Sequence, residues 1–284
     1  MKIPKTLIAL VVFVFSFSIG CILNTASEYK FLKDTKLEYK LSSEIKQTTT
    51  MMGQEQAFTM NSNENMNILS LGLVDDNNFK IEFYINNINF TADNPELNVG
   101  AIDFSFINDK KSSALVSKKG VVSSVEAMDV VEFPNDPVTQ VLTQNYNPMK
   151  VISKFFIVLP ENNVKVGDTW EDSNTEVTDI GGDVTIVTEY SYTVSELVDF
   201  NGYSCLKILC SIKITMVGQG AMQGSEFKIS GKGKGDGTYY FAQDQGILVG
   251  YETSNTTNVY FDFTAMEMTI PSTNIISSKV ELVK

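Results

Sequence analysis

The residues best suited to chemistry stand together at Trp170-Glu171-Asp172. An aromatic ring beside two carboxylates has the composition of a sugar-binding site, and two suitably spaced carboxylates can hydrolyse a glycoside. The same segment also has the composition of a strand that buries its tryptophan, because aromatic side chains contribute strongly to core packing. We favour the packing interpretation and assign no catalytic residue, so a hydrolase is the least favoured function.

Two absences narrow the chemistry further. The chain has no histidine, and all 22 of its basic residues are lysine. Without histidine there is no Ser-His-Asp or Cys-His nucleophile and no histidine-based zinc site. The formal charge of −12 argues against a nucleic-acid partner, because a phosphate backbone requires clustered positive charge. We therefore predict no enzyme activity, no cofactor and no metal site.

A second pattern is a run of glycines at every other position, with Ile229 and Tyr239 on the same face of the predicted strand. A stripe without side chains allows strong bending or close packing of the sheet. It also allows a ligand to approach the backbone. The two interpretations stay open, and the tentative ligand-binding residues are Trp170, Gly231, Gly233, Gly235 and Tyr239.

The elements that would position these residues are long strands. Between residues 184 and 263 apolar and polar side chains alternate, which is typical of strands with one buried and one wet face. Asn201-Gly202 separates two such runs and predicts a hairpin. We predict a mainly β protein, in which long antiparallel strands form a curved sheet or half-barrel.

Three local patterns complete the fold prediction. The apolar phase changes after Asn86-Asn87, which indicates a bulge. Ile102, Phe104 and Phe106 predict a further strand. Asp136-Pro137 has the composition of a helix start, so one or two short helices are expected at about 136–156, packed on the sheet.

Cys205 and Cys210 are five residues apart in a predicted strand, so their Cα atoms are separated by roughly 16 Å. A disulfide requires Cα atoms within about 7 Å. We predict that these two thiols do not pair.

The N-terminus has the organisation of an export signal, residues 1–20. Lys2 and Lys5 precede an apolar run at 7–17 that is too short to span a bilayer comfortably. The following Ser18-Ile19-Gly20-Cys21 resembles the lipobox of bacterial lipoproteins, and this resemblance implies lipidation of Cys21. The alternative is an ordinary secretory signal. We expect a lipidated tether at 21–35 and a single β-rich domain at 36–284.

A short internal sequence repeat, which we call the internal echo, indicates two related halves, at about 36–131 and 157–284. Gly120-Val121-Val122 recurs as Gly246-Ile247-Leu248, each after a polar turn and before a strand. A shared hairpin type would give the same match.

Three stretches carry a family resemblance: the lipobox-like start, Gly237-Thr238-Tyr239-Tyr240-Phe241, and Leu159-Pro160 with Val164-Lys165-Val166-Gly167-Asp168-Thr169-Trp170. On them the chain resembles an uncharacterised family of bacterial envelope lipoproteins with no assigned activity. The strand-rich pattern is similar to the half-barrels of lipoprotein and lipid carriers.

The resemblance implies an exported protein, lipid-anchored in the cell envelope, and in the outer membrane if the organism is Gram-negative. We expect a non-enzymatic lipoprotein that binds an apolar ligand or lipid on the concave face of its sheet. The alternative is a structural or interaction lipoprotein whose own side chains fill the interior. The sequence identifies no protein partner.

Overall fold

The computed structural model describes residues 27–93, 104–132, 148–179, 182–222 and 225–283. Within these ranges, eleven strands form one sheet in the order β5-β4-β3-β2-β1-β11-β10-β9-β8-β7-β6, with every neighbouring pair antiparallel. The strands are β1 Lys36–Met51, β2 Gln54–Leu73, β3 Asn78–Ala92, β4 Ser112–Ser117, β5 Val122–Ala127, β6 Thr169–Asp179, β7 Asp183–Phe200, β8 Tyr203–Met222, β9 Ser225–Ala242, β10 Ile247–Phe263 and β11 Met268–Val283.

The sheet is not closed into a barrel, and β5 and β6 are its two edges. One α-helix is described, α1 at Pro148–Phe155, and it contacts β5 and forms ion pairs with β6. The predicted fold class, a curved antiparallel sheet with a short helix packed on it, is confirmed. The predicted helix start at Asp136-Pro137 lies outside the described residues.

Local sequence signals placed two features of the sheet correctly. Asn201 and Gly202 form the turn between β7 and β8, with φ angles of 52° and 78° that suit this residue pair. In β3, the pairing with β2 shifts by one residue around Asn87, whose φ is 55°. This shift is the predicted bulge.

The strand predicted around Phe104 and Phe106 is wrong. Phe104–Phe106 is a 3₁₀ turn, and Ile102 lies outside the described residues. The ring of Phe104 contacts Phe90 of β3 and Phe106, with centroids 6.0 and 6.2 Å apart. In this segment, ring contacts with β3 and within the turn take the place of the strand pairing that the alternation predicted.

The principal core lies at the end of the sheet where β1 begins. Residues 27–33, which we call the N-terminal strap, cross this end, and Tyr29 and Phe31 are buried there. Tyr29 packs edge-on against Phe156 and Phe241, with ring centroids 5.2 Å away in both cases. The structure thus places part of the predicted 21–35 tether inside the core.

The strap is held by the two turns of the internal echo. The Tyr29 N–H donates to Lys118 O at 2.7 Å, and the Lys30 N–H donates to Gly246 O at 2.9 Å. Gly120 and Gly246 both have positive φ and lie against the strap, where an added Cβ would collide with Tyr29 or with the backbone of Lys30. The recurring glycines therefore let two turns approach one segment. Whether the halves are related stays a prediction.

A second, smaller core lies at the opposite end of the sheet. It consists of Val184, Phe227, Ile229, Val259 and Phe263, all buried. A cavity lies on the inner face between the two cores, with Lys154 of the helix among its lining residues.

The thiols of Cys205 and Cys210 are both free and both buried on β8, so the prediction that they do not pair is confirmed. Burial raises the pKa of Cys205 to about 11 and that of Cys210 to about 12. Both are therefore protonated, unreactive core side chains at neutral pH.

Candidate functional site

A cavity of about 550 Å³ occupies the inner face of the sheet, between the two cores. This volume falls within the range of roughly 300–1,000 Å³ that is usual for ligand pockets. We call it the concave cavity. Its lining comes from β1, α1 and β6 to β11: Ile45, Gln47, Lys154, Asn174, Glu176, Ile186, Thr188, Tyr190, Ile212, Ile214, Met216, Tyr239, Tyr251, Thr253, Asn255, Thr257, Asn274, Ile276 and Ser278.

One wall of the concave cavity is apolar. Ile186 pairs with Met216 and Tyr190 with Ile212, so β7 and β8 present these side chains side by side. The strict alternation of the two strands fixes this wall, because every second residue faces inward. Such a wall favours an apolar ligand group, since its burial removes apolar surface from water.

The facing wall is polar but uncharged. Thr253 pairs with Ser278 and Thr257 with Asn274 across β10 and β11. Asn255 pairs with Ile276, one of the two apolar side chains on this side. The cavity is therefore amphipathic, with hydroxyl and amide groups opposite an aliphatic surface.

Two charged side chains line the concave cavity, and both belong to one ion-pair cluster. Glu176 accepts from Lys150 at 2.5 Å and from Lys154 at 3.3 Å. Partial burial alone would raise the pKa of the Glu176 carboxyl, but the hydrogen bonds and charges of the two lysines outweigh it and hold the pKa below its usual value. Two cations share one anion, so the cluster keeps one unit of positive charge.

A row of aromatic rings lies at the border between the concave cavity and the principal core, to which Tyr192 and Tyr239 belong. Trp170 stacks on Tyr192 at 4.9 Å, Tyr192 meets Tyr239 at 6.0 Å, and Tyr239 meets Tyr251 at 5.1 Å. Burial raises the pKa values of all three tyrosines, so their hydroxyls stay neutral. The row forms an uncharged end to the cavity.

The predicted site residues are only partly brought together. Tyr239 lines the concave cavity, whereas Trp170 is partly buried against the principal core and donates its indole N–H to Val158 O at 2.9 Å. Glu171 is exposed and Asp172 is half-buried, as expected for successive residues on opposite faces of β6. Glu171 and Asp172 both line a polar depression of about 640 Å³, but Trp170 does not, so the three residues do not converge on one site.

The glycine stripe lies between the two walls. Gly235 pairs with Ile212 on one side and Asn255 on the other, while Gly233 pairs with Ile214 and Thr257. A Cβ at Gly233 would collide with the Thr257 side chain, and one at Gly235 with Ser254 O and Asn255. Gly231 is buried and less crowded, because an added Cβ there would lie 3.2 Å from Asn258 O. The β10 side chains thus lie across these glycines, which supports the packing interpretation.

Sequence reasoning missed the polar wall and the Lys154–Glu176 pair. On β10 the inward residues Thr253, Asn255 and Thr257 alternate with residues that are equally polar, so the pattern does not show which face is inside. The ion pair joins residues distant in sequence, and no spacing rule would have found it.

A second depression of about 550 Å³ lies on the outer face of the same sheet. Its lining is polar, with Ser42, Asn61, Asp236, Ser254 and Lys279 among its residues. It offers no apolar wall, so we place the candidate site in the concave cavity. Within the described ranges, no group of three acidic or cysteine side chains could hold a metal ion.

Cys21 lies outside the described residues. Ser27, six positions later, is fully buried: its N–H donates to Asn163 Oδ1 at 3.0 Å, and its hydroxyl oxygen accepts from the Val164 N–H at 2.9 Å and from Gln243 at 2.8 Å. Among the described helices, none has the length and apolar character needed to span a membrane.

Comparison with known proteins does not assign this site. No protein-family model matches the chain, and no curated protein matches it. Among solved structures, the crystal structure of Acinetobacter baumannii OccAB4 aligns over 88% of this chain and 99% of that chain, with 9% identity and a TM-score of 0.21. This score is too low to support an argument about fold or function.

Proposed function

We propose that the protein is a non-enzymatic, lipid-anchored envelope lipoprotein that binds an apolar ligand in the concave cavity. The observation that carries the proposal is the space itself: about 550 Å³ on the inner face, with a continuous aliphatic wall. A structural lipoprotein with a filled interior would leave no such space. The cavity therefore favours the binding function over that alternative.

The position of the N-terminal strap is compatible with an anchor at Cys21. Ser27 is fixed at the end of the sheet that holds the principal core. Six extended residues reach at most about 20 Å. A lipidated Cys21 would hold this end close to the membrane, while the cavity would lie farther along the strands.

The test of the binding function is titration with a fluorescent fatty-acid probe. The protein is the exported chain carrying Cys21→Ser, so that its own acyl groups cannot occupy the cavity. We expect saturable binding at micromolar protein that unlabelled lipid displaces. Absence of saturable binding would remove the proposal.

Adjacent isoleucines on β11 provide a matched pair of variants. Ile276 lines the concave cavity, whereas Ile275 is 38% exposed. Ile276→Trp narrows the cavity and should weaken probe binding by roughly 10-fold, because the ring occupies part of the ligand's space. Ile275→Trp adds the same ring outside and should leave binding unchanged. Equal effects of the two substitutions would place the bound probe elsewhere.

A further inference from the structure

The charge cluster on the wall of the concave cavity is not balanced. Lys150 alone, at 2.5 Å, would neutralise Glu176, and Lys154 is added at 3.3 Å. Lys154 is the cation that lines the cavity, and Lys150 is not part of the lining. The cavity wall therefore has one surplus positive charge, carried by Lys154.

The position of Lys154 suits the head of an amphiphile. Its side chain is 59% exposed, so the ammonium lies at the rim of the cavity, where water still reaches it. The side chain of Glu176 is only 20% exposed, which places the shared carboxylate deeper. An anionic group at the rim would remain partly hydrated, and its binding would not require burial of an unpaired charge.

The interior of the cavity suits an apolar chain. Ile186, Ile212, Ile214 and Met216 form a continuous aliphatic surface, and no other charged residue lines the cavity. The hydroxyl and amide groups of the facing wall are uncharged, so they do not repel an anion. Among the lining residues, Lys154 therefore carries the surplus charge that could bind the charged end of a ligand.

We propose that the ligand of the concave cavity is an anionic amphiphile, with its chain along the aliphatic wall and its carboxylate or phosphate bound by Lys154. This inference rests on the proposed function. It adds the charge class of the ligand and a residue that selects it. Glu176 competes with the ligand for Lys154 and would be released to Lys150 on binding.

The test compares ligands that share a chain and differ in the head group. Hexadecanoate and hexadecyl phosphate are the anionic ligands, and hexadecanol is the neutral one, each measured by displacement of the fluorescent probe. We expect the anions to bind about 10-fold more tightly than the alcohol, as one charge-assisted contact allows. The tighter of the two anions identifies the head group as carboxylate or phosphate.

Lys154→Met should abolish this preference, so that the two anions and hexadecanol bind with similar affinity. The matched control is Lys213→Met, which removes a lysine paired with Glu189 at 2.6 Å on an exposed part of β8, and the preference should persist. Glu176→Gln removes the competing carboxylate and should raise the affinity for the anions.

Two outcomes distinguish a failure of this inference from a failure of the proposed binding function. If all three ligands bind equally well to the unmodified cavity, or if Lys154→Met keeps the preference, the head-group assignment is wrong and the binding function stands. If none of the three binds, the binding function itself fails.

Discussion

The Trp170 indole has one hydrogen-bond donor, and Val158 O accepts it at 2.9 Å. Its ring stacks on Tyr192, so both its polar and its apolar parts are satisfied within the protein. Tyr192 covers one face of the ring, and the side chain is partly buried. At the scale of single residues, the packing interpretation of this segment therefore accounts for both of these contacts.

Replacing Trp170 by alanine should destabilise the protein and leave ligand binding intact. The loss of a half-buried ring and a hydrogen bond corresponds to roughly 2–4 kcal/mol in the free energy of unfolding. Urea denaturation followed by circular dichroism measures the change, and probe titration provides the control. Unchanged stability with a loss of sugar or probe binding would restore the site interpretation.

Counting the reactive thiols tests both the burial of Cys205 and Cys210 and the lipidation of Cys21. Burial raises the pKa values of Cys205 and Cys210 to about 11 and about 12, so neither should react with a thiol reagent in the native protein at pH 8. After denaturation the lipidated protein should show two thiols. Three reactive thiols would mean that Cys21 is unmodified, and reaction in the native state would contradict the buried positions.

At the scale of elements, the shape of the cavity depends on β9. Its glycines allow side chains of β10 to lie across the strand, between an apolar wall on β8 and a polar wall on β10 and β11. Ordinary residues at these positions would fill the same space. The stripe therefore acts through packing, even though the glycines themselves do not line the cavity.

Gly235→Ala should destabilise the sheet because the added Cβ meets Ser254 O and Asn255, and backbone atoms cannot rotate away. Overpacking of this kind costs about 1–3 kcal/mol. Lys234→Ala, on the exposed face of the same strand, should change stability by less than about 0.5 kcal/mol. Thermal unfolding of the two variants measures the difference, and equal melting temperatures would show that the stripe is not tightly packed.

The strap shows why local sequence did not predict every element. Residues 27–33 form no helix or strand, so they have no periodicity to detect, yet Tyr29 and Phe31 are among the most buried side chains. Alternation predicted the long strands because one face is buried and the other wet. Alternation wrongly predicted a strand at Phe104–Phe106. The two phenylalanines have the spacing of a strand, but they lie in a short 3₁₀ turn and their rings contact each other.

At the scale of the whole molecule, the open sheet leaves part of its inner face uncovered. The strap and α1 cover the end with the principal core, and a small cluster around Phe227 and Phe263 closes the far end. The sequence predicted a curved sheet, because strand patterns are local. It could not predict how much of the interior stays open, which depends on side chains from eight elements meeting in space.

Native mass spectrometry of the chain carrying Cys21→Ser, mixed with hexadecanoate, tests the central claim most directly. The account predicts one bound ligand per protein molecule, a species that Ile276→Trp reduces and Ile275→Trp retains. A protein without bound ligand, or a series of adducts that neither substitution changes, would contradict a binding cavity on the inner face of this sheet.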